Sequence, residues 1–261
     1  MSFKFQSQHG EKTNVAVIIL AAGLGTRMKS DKAKVLHELM GRAMILYVVE
    51  TAKQVAGENI IIVVGHQADE VQSLVSAHSK VRYALQKNQL GTGHAVQTAL
   101  PFLGDQIEHV VILCGDVPLL STETIHALVD NHMEKDRHMT LLAVDLETPS
   151  GYGRLILDKN QKLLKIVEET DATAEQKKIK TINAGIYCVK KETLLQTVPK
   201  LRPANRQKEL YLTDIIEIGN SYGKTAGVIL GNDPDEISGI NTAEDLCAAD
   251  RILKSRMMKK S

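Results

Sequence analysis

Residues 21–34 read AAGLGTRMKSDKAK, two glycines followed by Arg27 and Lys34. Glycines let a backbone approach an anion closely and turn its N–H groups toward it. Arg27 can fork two donors onto phosphate oxygens, while Lys34 is a point charge on a flexible stem. Three kinds of phosphate loop compete here. A dinucleotide fingerprint needs GxGxxG, and GLGTRM has Met28 in the third glycine's place. A Walker loop needs GK[ST], which this stretch lacks. The third kind wraps a nucleoside triphosphate and adds cationic side chains, and two cations suit a triphosphate better than a dinucleotide. A glycine turn with two surface cations fits the same residues, so the loop alone leaves the choice open. A second feature is Asp116, which ends the apolar run HVVILCGD. A strand-end carboxylate facing the crevice is what a metal-phosphate site needs, since ligands of open parallel sheets bind beyond the carboxyl ends of the strands.

The elements that must position these residues follow from the apolar pattern. VAVIIL (15–20), NIIIVVG (59–65) and HVVILCGD (109–116) read as strands buried on both faces. VRYAL (81–85) and MTLLAVDL (139–146) read as further strands. Between them, Ile45, Val48, Val49 and Ala52, then Val71, Leu74, Val75 and His78, fall at helical spacing. Residues 92–103 predict a helix shortened near Pro101, and Ile125, Leu128 and Val129 mark another. Strands alternating with such helices imply an α/β fold, a Rossmann-like, mostly parallel sheet flanked by helices and joined by right-handed crossovers. Past residue 150 the rhythm changes: YGRLILD, KLLKIVEE and TINAGIYCV crowd together and predict a smaller antiparallel lobe. ELYLTDIIEIGNSYG (209–223) reads as helix and TAGVIL (225–230) as strand. From Thr242 a C-terminal helix ends in RILKSRMMKK, where basic residues complement its dipole. The expected organisation is a flexible leader over 1–14 and one domain over 15–261. Within it, about 15–150 would bind nucleotide, about 151–240 would form the second lobe, and 241–261 the final helix.

Composition narrows the function classes. A net charge of +1 argues against a general electrostatic grip on nucleic acid or anionic lipid. Cys114, Cys188 and Cys247 lie far apart with no CxxC pair, as expected of reduced thiols rather than a disulfide frame. No HxH or HxxxH pair suggests zinc. No run approaches the roughly 18 apolar residues of a membrane span, and the polar start lacks a secretory stretch. The expectation is a cytoplasmic protein with neither a nucleic-acid nor a membrane partner. Aromatic residues make up 3% and Trp is absent, so the core must be mainly aliphatic.

LAAGLGTRMKS with KVLH resembles the signature of the sugar-1-phosphate nucleotidyltransferases, and KVLH is most similar to their N-acetylglucosamine-1-phosphate uridylyltransferase branch. The resemblance continues in order through QLGTGHA, CGDVPLL, GYGR, IVEETDAT, INAG, YLTDII and GINT. It implies attack of N-acetylglucosamine-1-phosphate on the α-phosphorus of UTP, with Mg²⁺ and release of pyrophosphate. Arg27 and Lys34 would be catalytic, and Asp116 and Asn241 would hold the metal. Leu20, Ala21, Ala22, Gly23, Gln86, Gly91, Thr92, Cys114 and Gly115 would bind the nucleotide, Gln86 and Gly91 reading the uracil. Gly153, Glu168 and Asn183 would bind the sugar, with Glu169 a rival one position away. Tyr152 would pack or cover the sugar, and His37 and His94 would be structural hydrogen-bonders.

Two departures stand out. Ala184 in INAG replaces the usual Thr, which opens the choice of sugar. Many members also continue into a left-handed β-helix that acetylates glucosamine-1-phosphate and forms trimers. No such repeats follow here, so the chain is expected to lack that activity and to be a monomer or weak oligomer. Alternatives are a nucleotidyltransferase for glucose- or N-acetylgalactosamine-1-phosphate, a non-catalytic nucleotide-sugar-binding protein and, weaker still, a dinucleotide-dependent oxidoreductase.

Overall fold

The computed structural model describes residues 14–260, so the expected leader lies outside the described residues apart from Asn14. The first strand, β1 (Val15–Ala21), leads through the glycine loop to a small hairpin, β2 (Glu38–Leu39) and β3 (Arg42–Ala43). Then follow α1 (Met44–Ala56), β4 (Ile60–Val64), α2 (Ala68–Ser76), β5 (Arg82–Leu85), α3 (Thr92–Ala99), β6 (His109–Cys114), α4 (Thr122–Glu134) and β7 (Met139–Asp145). The second half holds β8 (Arg154–Leu157), β9 (Leu163–Val167), β10 (Thr181–Lys190), α5 (Lys191–Thr197), α6 (Ile215–Ser221), β11 (Ala226–Leu230) and α7 (Ala243–Lys260).

One sheet runs β11-β7-β10-β6-β1-β4-β5, with the β8–β9 hairpin hanging from β10. Pairings among β6, β1, β4 and β5, and between β11 and β7, are parallel. Only β10 is antiparallel to both its neighbours along this row. The antiparallel character expected past residue 150 is thus not confined to a lobe, because β10 lies inside the main sheet between β6 and β7.

The apolar runs are buried on both faces, as an enclosed sheet requires. Along β1, Val15, Val17 and Ile19 face one core with Ile45, Val48 and Val49 of α1 and Leu128 of α4. Ala16 and Ile18 face the other with Val96 of α3 and Ile215 of α6. A small third cluster of Leu39, Met44, Leu119, Ile240 and Ala249 fastens α7 to the hairpin. Three readings need correction. The helix expected over 209–223 is only α6, preceded by a turn at Leu212–Asp214, because residues 210 and 212 are drawn into hydrogen bonds with residues 90–93. The β2–β3 hairpin and the short α5 were not foreseen. Cys114, Cys188 and Cys247 are all free thiols, and no helix among the described residues is long and apolar enough to cross a membrane.

At the opposite end of the sheet from the glycine loop, His132 of α4 is fully buried. Its Nδ1 lies 2.9 Å from Thr140 Oγ1, its Nε2 has no hydrogen-bond partner among the described residues, and its ring meets His109 edge-on at 5.2 Å. Burial, then His109, Lys190 and Arg137, push its pKa down to about 4. The folded state therefore refuses a proton that the unfolded chain accepts near 6.5. Stability should fall as pH drops from about 6.5 toward 4, by at most about 1.4 kcal/mol per pH unit for this one proton. Urea unfolding of wild type and His132→Asn at pH 7.5 and 4.5 tests this. The variant should lose less on acidification, and equal losses would exonerate His132.

Candidate active site

Parallel pairing puts Leu20 opposite Cys114, and Gly115 N donates to Leu20 O at 2.9 Å, extending the ladder one step. A Cβ on Gly115 would lie 3.1 Å from Leu20 O and 3.2 Å from both Ile45 Cδ1 and Val35 Cγ1, so the chain ahead of Asp116 passes close against β1. Past Ala22 the loop turns through Gly25, which has φ 64° and no room for a side chain, since a Cβ there would meet Lys34 Cβ at 2.7 Å. Lys34 opens a short turn whose Val35 and Leu36 are buried in the core. Ala33 N donates to Gln67 Oε1 at 2.5 Å, which ties this turn to the start of α2.

The result is a charged cluster from three distant places in the chain. Lys34 Nζ pairs with Asp116 Oδ2 and lies 3.1 Å from Asn241 Oδ1. Arg27 Nη2 donates to the same Asn241 oxygen at 2.8 Å. The Lys34 and Asp116 side chains are only 16% and 18% exposed, so their charges are poorly screened. Asn241 Nδ2 donates to Gly239 O at 3.0 Å, which leaves its carbonyl oxygen turned toward the cations. Ile240 N donates to Asp116 O at 2.9 Å and closes the segment onto the end of β6. Arg27 and Lys34 thus meet on the neutral Asn241 carbonyl, with Asp116 paired to Lys34 and the Asp245 carboxylate bonded to the Asn241 backbone. The ammonium bridging the Asp116 and Asn241 oxygens occupies the kind of seat a hard cation takes, and oxygen donors are what Mg²⁺ prefers. Among the described residues no three His, Cys, Asp or Glu side chains gather as a metal cage. A metal here would thus depend on ligands such as phosphate and water.

Gly153, Glu168 and Asn183 also come together. Asn183 N donates to Gly153 O at 2.9 Å, and a Cβ on Gly153 would lie 3.2 Å from Glu168 Oε2. Asn183 spends its amide on Tyr187 Oη at 2.7 Å and its carbonyl on Gly185 N at 3.0 Å. Glu168 accepts from Thr213 Oγ1 at 3.1 Å, and burial raises its pKa. The adjacent Glu169 is different: it pairs with the fully buried Arg154 at 2.7 Å and with Lys177 at 3.3 Å. Of the two acids, Glu169 is committed to structure, and Glu168 is half-buried beside the Thr213 hydroxyl with no ion pair among the described residues.

Chain neighbours link this group to the charged cluster. Cys114 Sγ lies 3.7 Å from Gly185 O, and burial, then Asp116, pushes its pKa up to about 12, so the thiol is inert. Tyr152 is half-buried against the core, and its hydroxyl is hydrogen-bonded to the Gly239 backbone. On the other flank, Gln86 is buried and donates to Gly91 O at 3.1 Å and His94 Nδ1 at 3.0 Å. A carbonyl can only accept, so this orients the amide and commits its N–H side. Gly91 at φ 106° abuts Leu210, and Thr92 Oγ1 accepts from Leu212 N at 3.0 Å. Leu20, Ala21, Ala22 and Gly23 lie at the end of β1, with Gly65 packed against Ala22.

A family model described as Nucleotidyl transferase matches residues 16–234. The chain belongs to the nucleotidyl transferase family. It is 45% identical over 94% of its length to the bifunctional protein GlmU of Geotalea uraniireducens and covers 54% of that protein. GlmU of Clostridioides difficile is 39% identical over 94% of the chain, with 52% of that protein covered. The chain thus spans about half the length of these curated relatives. A Bacillus anthracis structure described as a glucose-1-phosphate thymidylyltransferase in complex with a sucrose has the same fold, with a TM-score of 0.70 at 21% identity. That alignment covers 91% of this chain and 94% of the other.

Three residues of this nucleotidyl transferase's site escaped sequence reasoning. Asp245 accepts from the backbone of Asn241 and Thr242, and the T-x-x-D spacing of a helix cap was the available signal. Gln67 and Thr213, which hold Ala33 and Glu168, carried no comparable signal. The two adjacent acids should separate experimentally. Glu169→Gln leaves buried Arg154 without its partner and should cost about 2 kcal/mol, between exposed and fully buried pairs. Glu168→Gln removes a half-buried charge that has no ion pair among the described residues and should stay within about 1 kcal/mol of wild type. Urea unfolding at pH 8 measures both, and the reverse order would contradict the division.

Proposed function

We propose that residues 15–261 form one domain that transfers uridylyl from UTP to N-acetylglucosamine-1-phosphate, giving UDP-N-acetylglucosamine and pyrophosphate. The observation that carries this reading is the contact of Arg27, Lys34, Asp116 and Asn241 beside the glycine loop. The sugar phosphate is already an anionic nucleophile, so no protein nucleophile is required. One of its oxygens attacks the α-phosphorus of UTP in line. A new P–O bond forms, the bond to the β-phosphate oxygen breaks, and pyrophosphate leaves with that electron pair. The barrier comes from bringing anions together and moving charge to the leaving group, which positioning and fixed cations lower.

Backbone groups of 20–23 would line the nucleotide. The committed N–H side of Gln86 leaves its carbonyl oxygen to accept from the uracil N3–H. Lys34 would hold the α-phosphate and sugar phosphate, and Arg27 the pyrophosphate. Asp116 and Asn241 would hold Mg²⁺, which neutralises phosphate charge when bound. Binding would require Lys34 and Arg27 to leave the two oxygens for the incoming phosphates, exchanging cation for cation. On the other side, Glu168 would accept from sugar hydroxyls, and the N–H groups near Gly153 would meet the acetamido carbonyl. The reading further places the reaction in the cytoplasm and takes this domain as a monomer or weak oligomer.

A second reading keeps the chemistry and changes the sugar. It rests on Ala184, which is buried in the apolar cluster and offers no hydroxyl beside Asn183. Pyrophosphate release from UTP and Mg²⁺ should be fastest with N-acetylglucosamine-1-phosphate among that compound, glucosamine-1-phosphate, glucose-1-phosphate and N-acetylgalactosamine-1-phosphate. Preference for another sugar would select the second reading, and no release with any would reject both. Asp116→Ala should lower turnover on the order of a hundredfold or more with a nearly unchanged melting temperature.

A further inference from the structure

The family match ends at residue 234, yet Asn241 lies beyond it, at the start of α7. Asp245, in the first turn of that helix, reaches back with one oxygen. Its Oδ2 accepts from Thr242 N and from Asn241 N, each at 2.9 Å. Thr242 Oγ1 in return accepts from Asp245 N at 3.1 Å. The Thr242 exchange alone is an ordinary reciprocal helix cap. The bond to Asn241 N is one more than capping needs, and it falls on the residue whose carbonyl meets Lys34 and Arg27.

We propose that Asp245 is a positioning residue that aims the Asn241 carbonyl at the metal-triphosphate, which makes α7 part of the active site. Two consecutive N–H groups on one carboxylate oxygen fix the backbone at Asn241, and Gly239 O holds the amide nitrogen, so Oδ1 has one direction left. The helix is itself anchored: Arg256 Nη1 donates to Leu119 O at 2.7 Å, Met40 N donates to Asp250 Oδ1 at 2.8 Å, and Ala249 packs with Leu39 and Ile240. Anchored flanks and a doubly bonded first turn turn the helix into a bracket for one amide oxygen. Groups that orient a metal ligand typically change metal affinity 10–100-fold when removed.

The inference rests on the proposed nucleotidyl transfer, and its test separates the two. Mn²⁺ binding in the presence of UTP is titrated by electron paramagnetic resonance for wild type, Asp245→Ala, Asp245→Asn and Thr242→Ala. Asp245→Ala should weaken Mn²⁺ about tenfold, and Asp245→Asn, which keeps the acceptor, should restore binding to within about threefold of wild type. Thr242→Ala should lower the melting temperature by weakening the cap while shifting Mn²⁺ binding less than about twofold. Wild-type binding with Asp245→Ala unchanged, or Thr242→Ala as damaging as Asp245→Ala, would overturn the role of Asp245 alone. No Mn²⁺–UTP binding by wild type would overturn the proposed function as well. Should Asp245→Ala fail to fold, amide exchange in wild type decides: Asn241 N–H should exchange slowly, and exchange as fast as that of an open loop would overturn the proposal.

Discussion

Parallel pairing of β1 with β6 is the constraint on which the site depends. It brings the carboxyl ends of two strands, 94 positions apart at Leu20 and Cys114, into one register and opens the glycine loop and Asp116 on the same edge. Close packing then requires the absence of side chains at two points, Gly115 against β1 and Gly25 against Lys34. Only with both in place can the Lys34 ammonium reach the Asp116 carboxylate. The pair is a weak argument for stability, because desolvating two charges offsets most of their attraction. Its value is positional: a cation is held against oxygen donors at the place where phosphate and metal would enter.

β10 extends this edge toward the second half of the chain. As an antiparallel strand between β6 and β7, it pairs with Ile112 through Tyr187, then shifts register between Asn183 and Tyr187. Gly185, at φ 73°, lies within that irregular stretch, and its carbonyl faces Cys114. The irregular stretch follows directly on Asn183, which still pairs with Ala143 of β7 and donates its N–H to Gly153 O. Asn183 is thus carried by the main sheet itself, and the ends of the β8–β9 hairpin supply Gly153 and Glu168 beside it. A rigid strand is a better support for such a group than a separate lobe joined by loops.

Much of this was legible because buried strands advertise themselves. VAVIIL, IIIVV and HVVILC are unbroken apolar runs, and the helices between them have clear spacing, so the α/β architecture follows directly. The antiparallel direction of β10 was anticipated but its place between β6 and β7 was not, since a central antiparallel strand buried on both faces has the same composition as a parallel one. Residues 209–211 carry helical spacing but lie outside the helix, because Gly93 N and Leu210 N take part in bonds that the pattern does not encode. In the site, residue types pointed to Arg27, Lys34 and Asp116, the family resemblance added Asn241, and neither gave the internal bonding. The committed N–H side of Gln86 and the occupied hydroxyl of Thr92 depend on contacts with Gly91, His94 and Leu212.

The two adjacent acids show how satisfaction of polar groups separates scaffold from site. Arg154 is fully buried and shares its donors among an ion pair with Glu169 and the carbonyls of Tyr152, Lys177 and Ile179, so every guanidinium nitrogen is engaged. A guanidinium held on all sides stiffens the hairpin and has no donor to spare for a ligand. Glu168 lies one residue away, with its carboxylate beside Thr213 and against Gly153, and burial opposes its charge. Such a group contributes little to folding, and its cost is recovered only when something donates to it. A similar asymmetry holds at the strand ends, where Arg27 and Lys34 both turn to the neutral Asn241 carbonyl and Lys34 alone meets the Asp116 carboxylate. These charges, unlike the Arg154 cluster, are the ones that the proposed nucleotide and sugar phosphate would have to engage.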